Sequence, residues 1–151
     1  MSMEIKHKVA IVIGASHDLG REIEKILTNK GATVIFADNS RERVDDLIKK
    51  ALEKYWHVDI LVNIIEEGLD GPVENIDVQG YKEAASKNIG DALHPMQILI
   101  PIMRNRSGGA IVNVGIHTST GQAIAGLSLV AHSECAKDDI IVSLKIGRAH
   151  V

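Results

Sequence analysis

The chain predicts an α/β fold, a doubly wound parallel sheet with helices on both faces, and three observations carry that expectation. The run Val9-Ala10-Ile11-Val12-Ile13 is uninterruptedly apolar and largely β-branched, the pattern of a strand buried on both faces. It stops at Gly14, and from Leu19 the apolar period becomes helical through Ile23, Ile26 and Leu27. Further apolar runs at residues 32–37, 59–65 and 110–114 alternate with helical patterns, as parallel strands joined by crossover helices require.

The first helix is predicted to end at Lys30-Gly31, and the second strand to end at Asp38. In a strand, tight loop, helix, strand unit, the loop N–H groups and the helix N-terminus meet an incoming phosphate, and glycines let the backbone approach closely. An acidic side chain at the end of the second strand accepts both hydroxyls of an adenosine ribose and repels a 2'-phosphate. Asp38 therefore favours NAD over NADP. Asp18 has two readings. About 4 Å from a diphosphate its carboxylate would cost up to about 4 kcal/mol at an effective dielectric near 20; turned the other way, it caps the helix through the N–H of Arg21.

A second helix is predicted to begin at Asn39-Ser40, with Val44, Leu47, Ile48, Ala51, Leu52 and Tyr55 on one face. After the run at 59–65 comes a loop with Gly68, Gly71 and Pro72 as breakers. Helical spacing resumes at Tyr81, Ala84, Ala85 and Asn88, and an amide on that apolar face needs partners, because burying it unpaired costs about 1–3 kcal/mol. The stretch from Ala92 to Met103 is apolar on nearly all sides although it contains Pro95, which inside a helix removes a hydrogen bond and costs about 3 kcal/mol. A further helix is expected from about Gly121 to Lys137, cut short by Asp138-Asp139, and a last strand over residues 140–144.

At 151 residues the chain fits one domain with a real core. Its 17 basic and 20 acidic residues give a net charge of -3 and no basic stripe for nucleic acid. No apolar stretch is long and unbroken enough to span a bilayer, so no membrane partner is expected. A single cysteine, Cys135, and an N-terminus unlike a signal sequence point to the cytoplasm. The seven histidines lack the close paired spacing of a zinc site, and His132 with Cys135 is a pair without further ligands, so no metal is expected.

Gly14-Ala15-Ser16-His17-Asp18-Leu19-Gly20 resembles the Thr-Gly-x-x-x-Gly-x-Gly segment of the short-chain dehydrogenase/reductase family, with Ile13 in place of the threonine and Asp18 in place of the middle glycine. Asp59-Ile60-Leu61-Val62-Asn63 resembles the family's Asp-Ile-Leu-Val-Asn-Asn-Ala-Gly, of whose last four residues only Asn63 is kept, and Gly-Gly-Ala-Ile-Val-Asn-Val at residues 108–114 is close to family text. The resemblance implies a Rossmann-like sheet and a nicotinamide dinucleotide held by Gly14, Ser16, His17, Asp18, Leu19, Gly20, Asp38 and Asn63. It also implies that Asn88 is the retained member of a catalytic tetrad, holding a water in the proton relay; the alternative is an Asn satisfied by a neighbouring strand. Residues 92–103 resemble the helix through which the family dimerises, so a homo-oligomer is an expectation.

The resemblance equally shows what is missing. Relatives place a further helix and strand between the ribose acid and the helix before Asp59, and a lobe after the last strand, so the sheet is expected to be incomplete, with residues 32–37 as an uncovered edge. The family's serine pair falls on Gly115 and Ile116, its tyrosine on Leu129 and its lysine on Ser133. The chain's tyrosines are Tyr55 and Tyr81, far upstream, so no Tyr-x-x-x-Lys exists. Loss of a general acid removes about 10²–10⁴ in rate, which leaves at most cofactor binding; Thr118, Ser119 and His132 are the nearest substitutes. By ancestry the chain resembles an NAD-dependent oxidoreductase of an alcohol or carbonyl; the alternatives are a non-catalytic binding or dimerising module and a decayed gene product. Finally, Ile146-Gly147-Arg148-Ala149-His150-Val151 is what ATC GGA AGA GCA CAC GTC, the start of a common sequencing-library adapter, encodes. The domain is therefore expected to occupy 1–145, with 146–151 a non-native tail and the natural frame continuing beyond Lys145.

Overall fold

The computed structural model describes residues 4–14, 18–37, 41–65, 72–106, 108–116 and 124–147, and for residues 41, 116, 146 and 147 the backbone alone. Strands β1 (Val9–Ile13), β2 (Thr33–Ala37), β3 (Ile60–Ile65), β4 (Gly109–Ile116) and β5 (Ile140–Gly147) alternate with helices α1 (Asp18–Asn29), α2 (Arg41–Tyr55), α3 (Val78–Asn105) and α4 (Ile124–Cys135). All neighbouring strands pair in parallel, in the order β2-β1-β3-β4-β5.

The register explains the core. Ile35, Ile11, Leu61, Ile111 and Val142 lie side by side across the five strands. Because side chains alternate between faces, this row and its odd-numbered neighbours on β1 and β3 meet one layer of helices. Val44, Ile48 and Ala51 of α2, Met96, Leu99 and Met103 of α3, and Ala131 and Cys135 of α4 close over it. On the opposite face Ala10, Val12, Ile60, Val62 and Ile64 pack with Ile23 and Leu27 of α1. The apolar face of α2 is the one expected, with Leu47, Leu52 and Tyr55 flanking its buried residues.

Two polar contacts fix the amino ends of the strands. Asp59 Oδ2 accepts the Val9 N–H at 2.9 Å and lies 3.0 Å from His57 Nδ1, while the Asp59 N–H donates to the Val9 carbonyl at 2.8 Å. Gly109 opens β4 directly under Met103, where a Cβ would stand 2.5 Å from its sulfur. The α4 helix winds down through a 3-10 turn, Ala136–Asp138, and Asp139 in the left-handed region turns the chain into β5.

The expected architecture is present, including the uncovered edge. β2 is the edge strand beside β1, with β5 at the other edge, and no strand or helix separates α2 from β3. Its Thr33 is exposed and Val34, Ile35 and Phe36 are half-buried. Two elements run longer than the patterns that announced them. The patterns at 81–88 and 92–103 are one continuous helix of 28 residues with Pro95 and Pro101 inside it, since burial of Ala92, Met96, Leu99 and Met103 outweighs the hydrogen bonds that proline removes. Those buried residues face the chain's own sheet, which narrows what the segment can offer a second copy. The last strand runs on to Gly147, where its backbone still pairs with Ile116, three residues past the strand end expected at 144. Among the described residues no helix is long and apolar enough to cross a membrane.

Two glycine substitutions probe the packing in opposite directions. Gly109→Ala forces a methyl against the fully buried Met103 and is expected to lower unfolding free energy by about 1–3 kcal/mol in urea titration. Gly126→Ala, in an exposed turn of α4 with open space around it, is expected to raise it by up to about 1 kcal/mol.

Candidate functional site

In an open parallel sheet, ligands bind outside the carboxyl ends of the strands, where successive crossovers leave in opposite directions. β1 is that place here, because the chain passes from it to β2 on one side while β3 pairs on its other side. Gly14 follows Ile13 with φ 90°, a conformation that favours glycine, and its N–H donates to the Ala37 carbonyl at 3.0 Å. Asp18 then stands as the first residue of α1, exposed, with exposed Leu19 and buried Gly20 after it. The helix axis thus begins just beyond the carboxyl end of β1, the geometry that directs N–H groups and the positive end of the dipole at an anion. Ser16, His17 and Asp38 lie outside the described residues, as do Thr118 and Ser119.

A cavity of about 260 Å³ opens beside this end of β1, between α2 and α3. Its apolar sides are Ile13, Val44 and Pro95, and its rim carries Lys87, Asp91 and His94. The rim is cross-linked. His94 Nε2 is hydrogen-bonded to Asp45 Oδ1, joining α3 to α2, and Lys87 Nζ donates to Asp91 Oδ2 at 2.9 Å. Pro95 has no N–H to offer the Asp91 carbonyl, so that acceptor lacks its helical partner at the cavity's edge. An open, apolar-walled slot with a few polar groups at its rim, beside a glycine turn and a helix N-terminus, has the general make-up of a small-molecule site, though at this volume it holds only part of a large ligand.

The two asparagines take up positions beneath this edge. Asn63 and Asn113 are paired in register on β3 and β4, both without exposure, and face the layer of α3 and α4. Asn63 Nδ2 donates to Asn113 Oδ1 at 2.9 Å and lies 3.5 Å from the Ala92 carbonyl; Asn113 Nδ2 donates to Ser128 Oγ at 3.0 Å. Asn63 Oδ1 accepts no hydrogen bond among the described residues. Asn88 is likewise fully buried, on α3 one turn before Asp91. Neither Asn113 nor Ser128, nor the Asp45–His94 pair, was singled out by sequence reasoning. Their partners lie 15 to 50 positions away, so no local spacing announces them.

The positions onto which the family resemblance carries the serine, tyrosine and lysine lie apart on β4 and α4. Leu129 is 68% exposed and Ser133 is exposed, both on α4, and Gly115 is buried near the end of β4. Tyr55 closes α2 at the opposite end of the sheet, packed on the core, and Tyr81 sits in the first turn of α3. Burial pushes the Cys135 thiol up, away from the thiolate a nucleophile needs, and Asp138 holds the Arg104 guanidinium more firmly charged through a 2.8 Å contact. Among the described residues no three metal-binding side chains come together.

Comparison with known proteins agrees with this geometry. The family profile described as short chain dehydrogenase matches residues 37–129. The chain belongs to the short-chain dehydrogenase family. An uncharacterised oxidoreductase of Staphylococcus epidermidis is 25% identical over 85% of this chain and 68% of its own length. The 7alpha-hydroxysteroid dehydrogenase of Bacteroides fragilis is 26% identical over 82% of this chain and 61% of its own. Both alignments are longer than the chain itself, so both relatives carry inserted residues that it lacks. The fold matches the crystal structure of the 3-ketoacyl-(acyl-carrier-protein) reductase of Brucella melitensis, complexed with NADH, with TM-score 0.80 at 19% identity, over 94% of this chain and 76% of that one.

Asn113→Ala removes the acceptor of Asn63 and the donor to Ser128 while both stay buried, and is expected to cost about 1–3 kcal/mol in denaturant unfolding. Cys135 is expected to react with a disulfide reagent such as DTNB at least about tenfold more slowly than a free thiol at pH 8, and at full speed in urea.

Proposed function

We propose that this chain is a dinucleotide-binding member of the short-chain dehydrogenase family that takes NAD in preference to NADP and lacks the means to hand over a proton. The observation that carries the reading is the crevice at the carboxyl end of β1, where Gly14, the start of α1 and the slot between α2 and α3 converge. The amides after Gly14 and in the first turn of α1 hold the diphosphate. Asp38, directly after β2, accepts the ribose hydroxyls and keeps out a 2'-phosphate. Ile13, Val44 and Pro95 offer the apolar surface against which the adenosine lies.

The nicotinamide of a bound cofactor supplies hydride chemistry; protonation of the oxygen that gains charge falls to the protein. Leucine at 129 cannot donate that proton, serine at 133 cannot lower a neighbour's pKa, and Gly115 cannot polarise a carbonyl with a side chain. Asn88, buried on α3, then has packing and hydrogen bonding as its whole role. Asp18 lies at the first turn of α1, where a carboxylate is favoured by the helix dipole and has solvent to turn into. The relatives named as oxidoreductases and dehydrogenases support the same cofactor class and an alcohol or carbonyl as the ancestral substrate. Any self-association along residues 92–103 would use the outward Gln97 and Pro101 and the half-buried Leu93 and Ile100. A reducing cytoplasm suits a buried, unpaired Cys135.

Titration with NADH followed by its fluorescence tests this reading. A saturable enhancement is expected, weakened at least about tenfold by Asp38→Ala, weaker by a similar factor for NADPH, and accompanied by no loss of absorbance with a panel of ketones and aldehydes. Absence of any saturable response would remove the binding claim, and steady NADH oxidation would remove the claim of lost proton transfer.

A further inference from the structure

The sheet has two edges, β2 and β5, and they are not alike. Charged side chains, proline or bulges keep an edge strand from pairing with other chains. β5 carries Lys145, whereas β2 reads Thr-Val-Ile-Phe-Ala, with no charge, no proline and an unbroken one-for-one register with β1. Val34, Ile35 and Phe36 are only half-buried, and among the described residues no strand pairs with their outer side.

Two contacts show which way the peptide groups of β2 point. The Thr33 N–H donates to the Lys8 carbonyl at 2.8 Å, and the Ala37 carbonyl accepts from the Gly14 N–H at 3.0 Å. In a parallel pair alternate residues turn both backbone groups to the neighbour, so Thr33, Ile35 and Ala37 serve β1, while Val34 and Phe36 turn their N–H and C=O outward. An antiparallel copy of the same strand meets that pattern. With a two-fold axis at Ile35, Val34 stands opposite the partner's Phe36 and Phe36 opposite the partner's Val34, and each opposed pair exchanges both of its hydrogen bonds. The side chains of those pairs, one β-branched and one aromatic, meet on the face of α1.

The flanking helices fit the same axis. α1 lies over β1 and β2, and neighbouring strands are about 4.8 Å apart, so the α1 axes of two copies come to about 10 Å, the spacing of packed helices. Arg21 of α1 stands over Phe36, its guanidinium 5.3 Å from the ring centre. One strand residue rises as far as about two helix residues, and α1 runs against the strands, so the level of Ile35 falls near Ile23. A two-fold axis there carries Arg21 toward the partner's Glu24. On the other face Asp45 points α2 toward α3, which leaves Leu47 and Lys50 on the flank beside the edge, with Lys50 paired to Asp46 at 2.9 Å.

We propose that β2 is a self-association surface, through which two copies of this chain join their sheets into one by pairing β2 to β2 antiparallel about Ile35. The match of outward backbone groups, the helix spacing and the approach of Arg21 to the partner's Glu24 all arise from the symmetry of like with like, and together they select a second copy as the occupant. The surface lies apart from residues 92–103 and does not rest on cofactor binding.

Sedimentation velocity from about 1 to 100 µM, with backbone amide exchange followed by NMR at both ends of that range, tests the proposal. A reversible monomer–dimer equilibrium is expected. Dimerisation should slow exchange at Val34 and Phe36 at least about tenfold and leave Ile35, already bonded to β1, unchanged. Val34→Pro, which takes away an outward N–H, should weaken the dimer at least about tenfold, and Arg21→Glu at least about fivefold; adding Glu24→Arg to the latter should restore it to within about threefold. Gln97→Arg, on the exposed side of α3, should leave it unchanged. If circular dichroism shows that Val34→Pro does not fold, Val34→Lys reads the same edge. A monomer at every concentration would overturn the proposal, as would association that continues past the dimer. A dimer that Gln97→Arg dissociates and the Val34 variants do not would overturn it in favour of α3.

Discussion

A sheet whose strands all run the same way has to be shielded from water on both faces, and most features of this molecule follow from how that constraint is met. β1 is enclosed completely, at 0–4% exposure along its length, because it lies between β2 and β3 and beneath helices on either side. Its place between β2 and β3 makes its carboxyl end the point, among the described residues, at which the crossover direction reverses, and so marks where a ligand crevice can form. Coverage declines outward from β1 in both directions. β2 is left as an edge, and β4 and β5 keep one apolar face that α1 does not reach.

Polar groups inside this layer act as registers more than as reactive groups. Asp59 holds the amino ends of β1 and β3 together with one carboxylate oxygen and its own N–H. Asn63 and Asn113 do the same for β3 and β4 near the other end, tied to α4 through Ser128. A one-residue slip of either strand would strand these groups in an apolar interior, at about 1–3 kcal/mol for each lost partner. The asparagines thereby give the candidate site a rigid floor, and Asn63, expected as a cofactor ligand, has its amide nitrogen committed to the neighbouring strand.

Much of this was legible in the sequence because it rests on local patterns. Val9 to Ile13, the helical spacing from Val44 to Tyr55 and the glycine at 14 each report a single element, and the missing unit before Asp59 correctly announced β2 as an edge. The cost of Pro95 was legible from the local rule, but the tertiary burial of Met96 and Leu99 that carries the helix through it was not. The crevice itself was only half legible. Gly14, Asp18 and Gly20 announce the tight turn and the start of α1, but the walls come from α2 and α3, and the Asp45–His94 pair that joins them spans 49 positions. Side chains brought together by crossovers leave no periodic trace.

Under the proposed function, scaffold and chemistry part company. The glycine turn, the strand pairing and the buried amides are present, whereas the family resemblance puts the serine, tyrosine and lysine positions on Gly115, Leu129 and Ser133. Retention of the first set is what makes a bound nicotinamide dinucleotide the central claim, and hydrogen–deuterium exchange with and without saturating NADH examines it where it matters. Backbone amides between Gly14 and Gly20 should exchange at least about tenfold more slowly in the presence of NADH, with β5 unchanged. Identical exchange of that segment with and without NADH would contradict the claim.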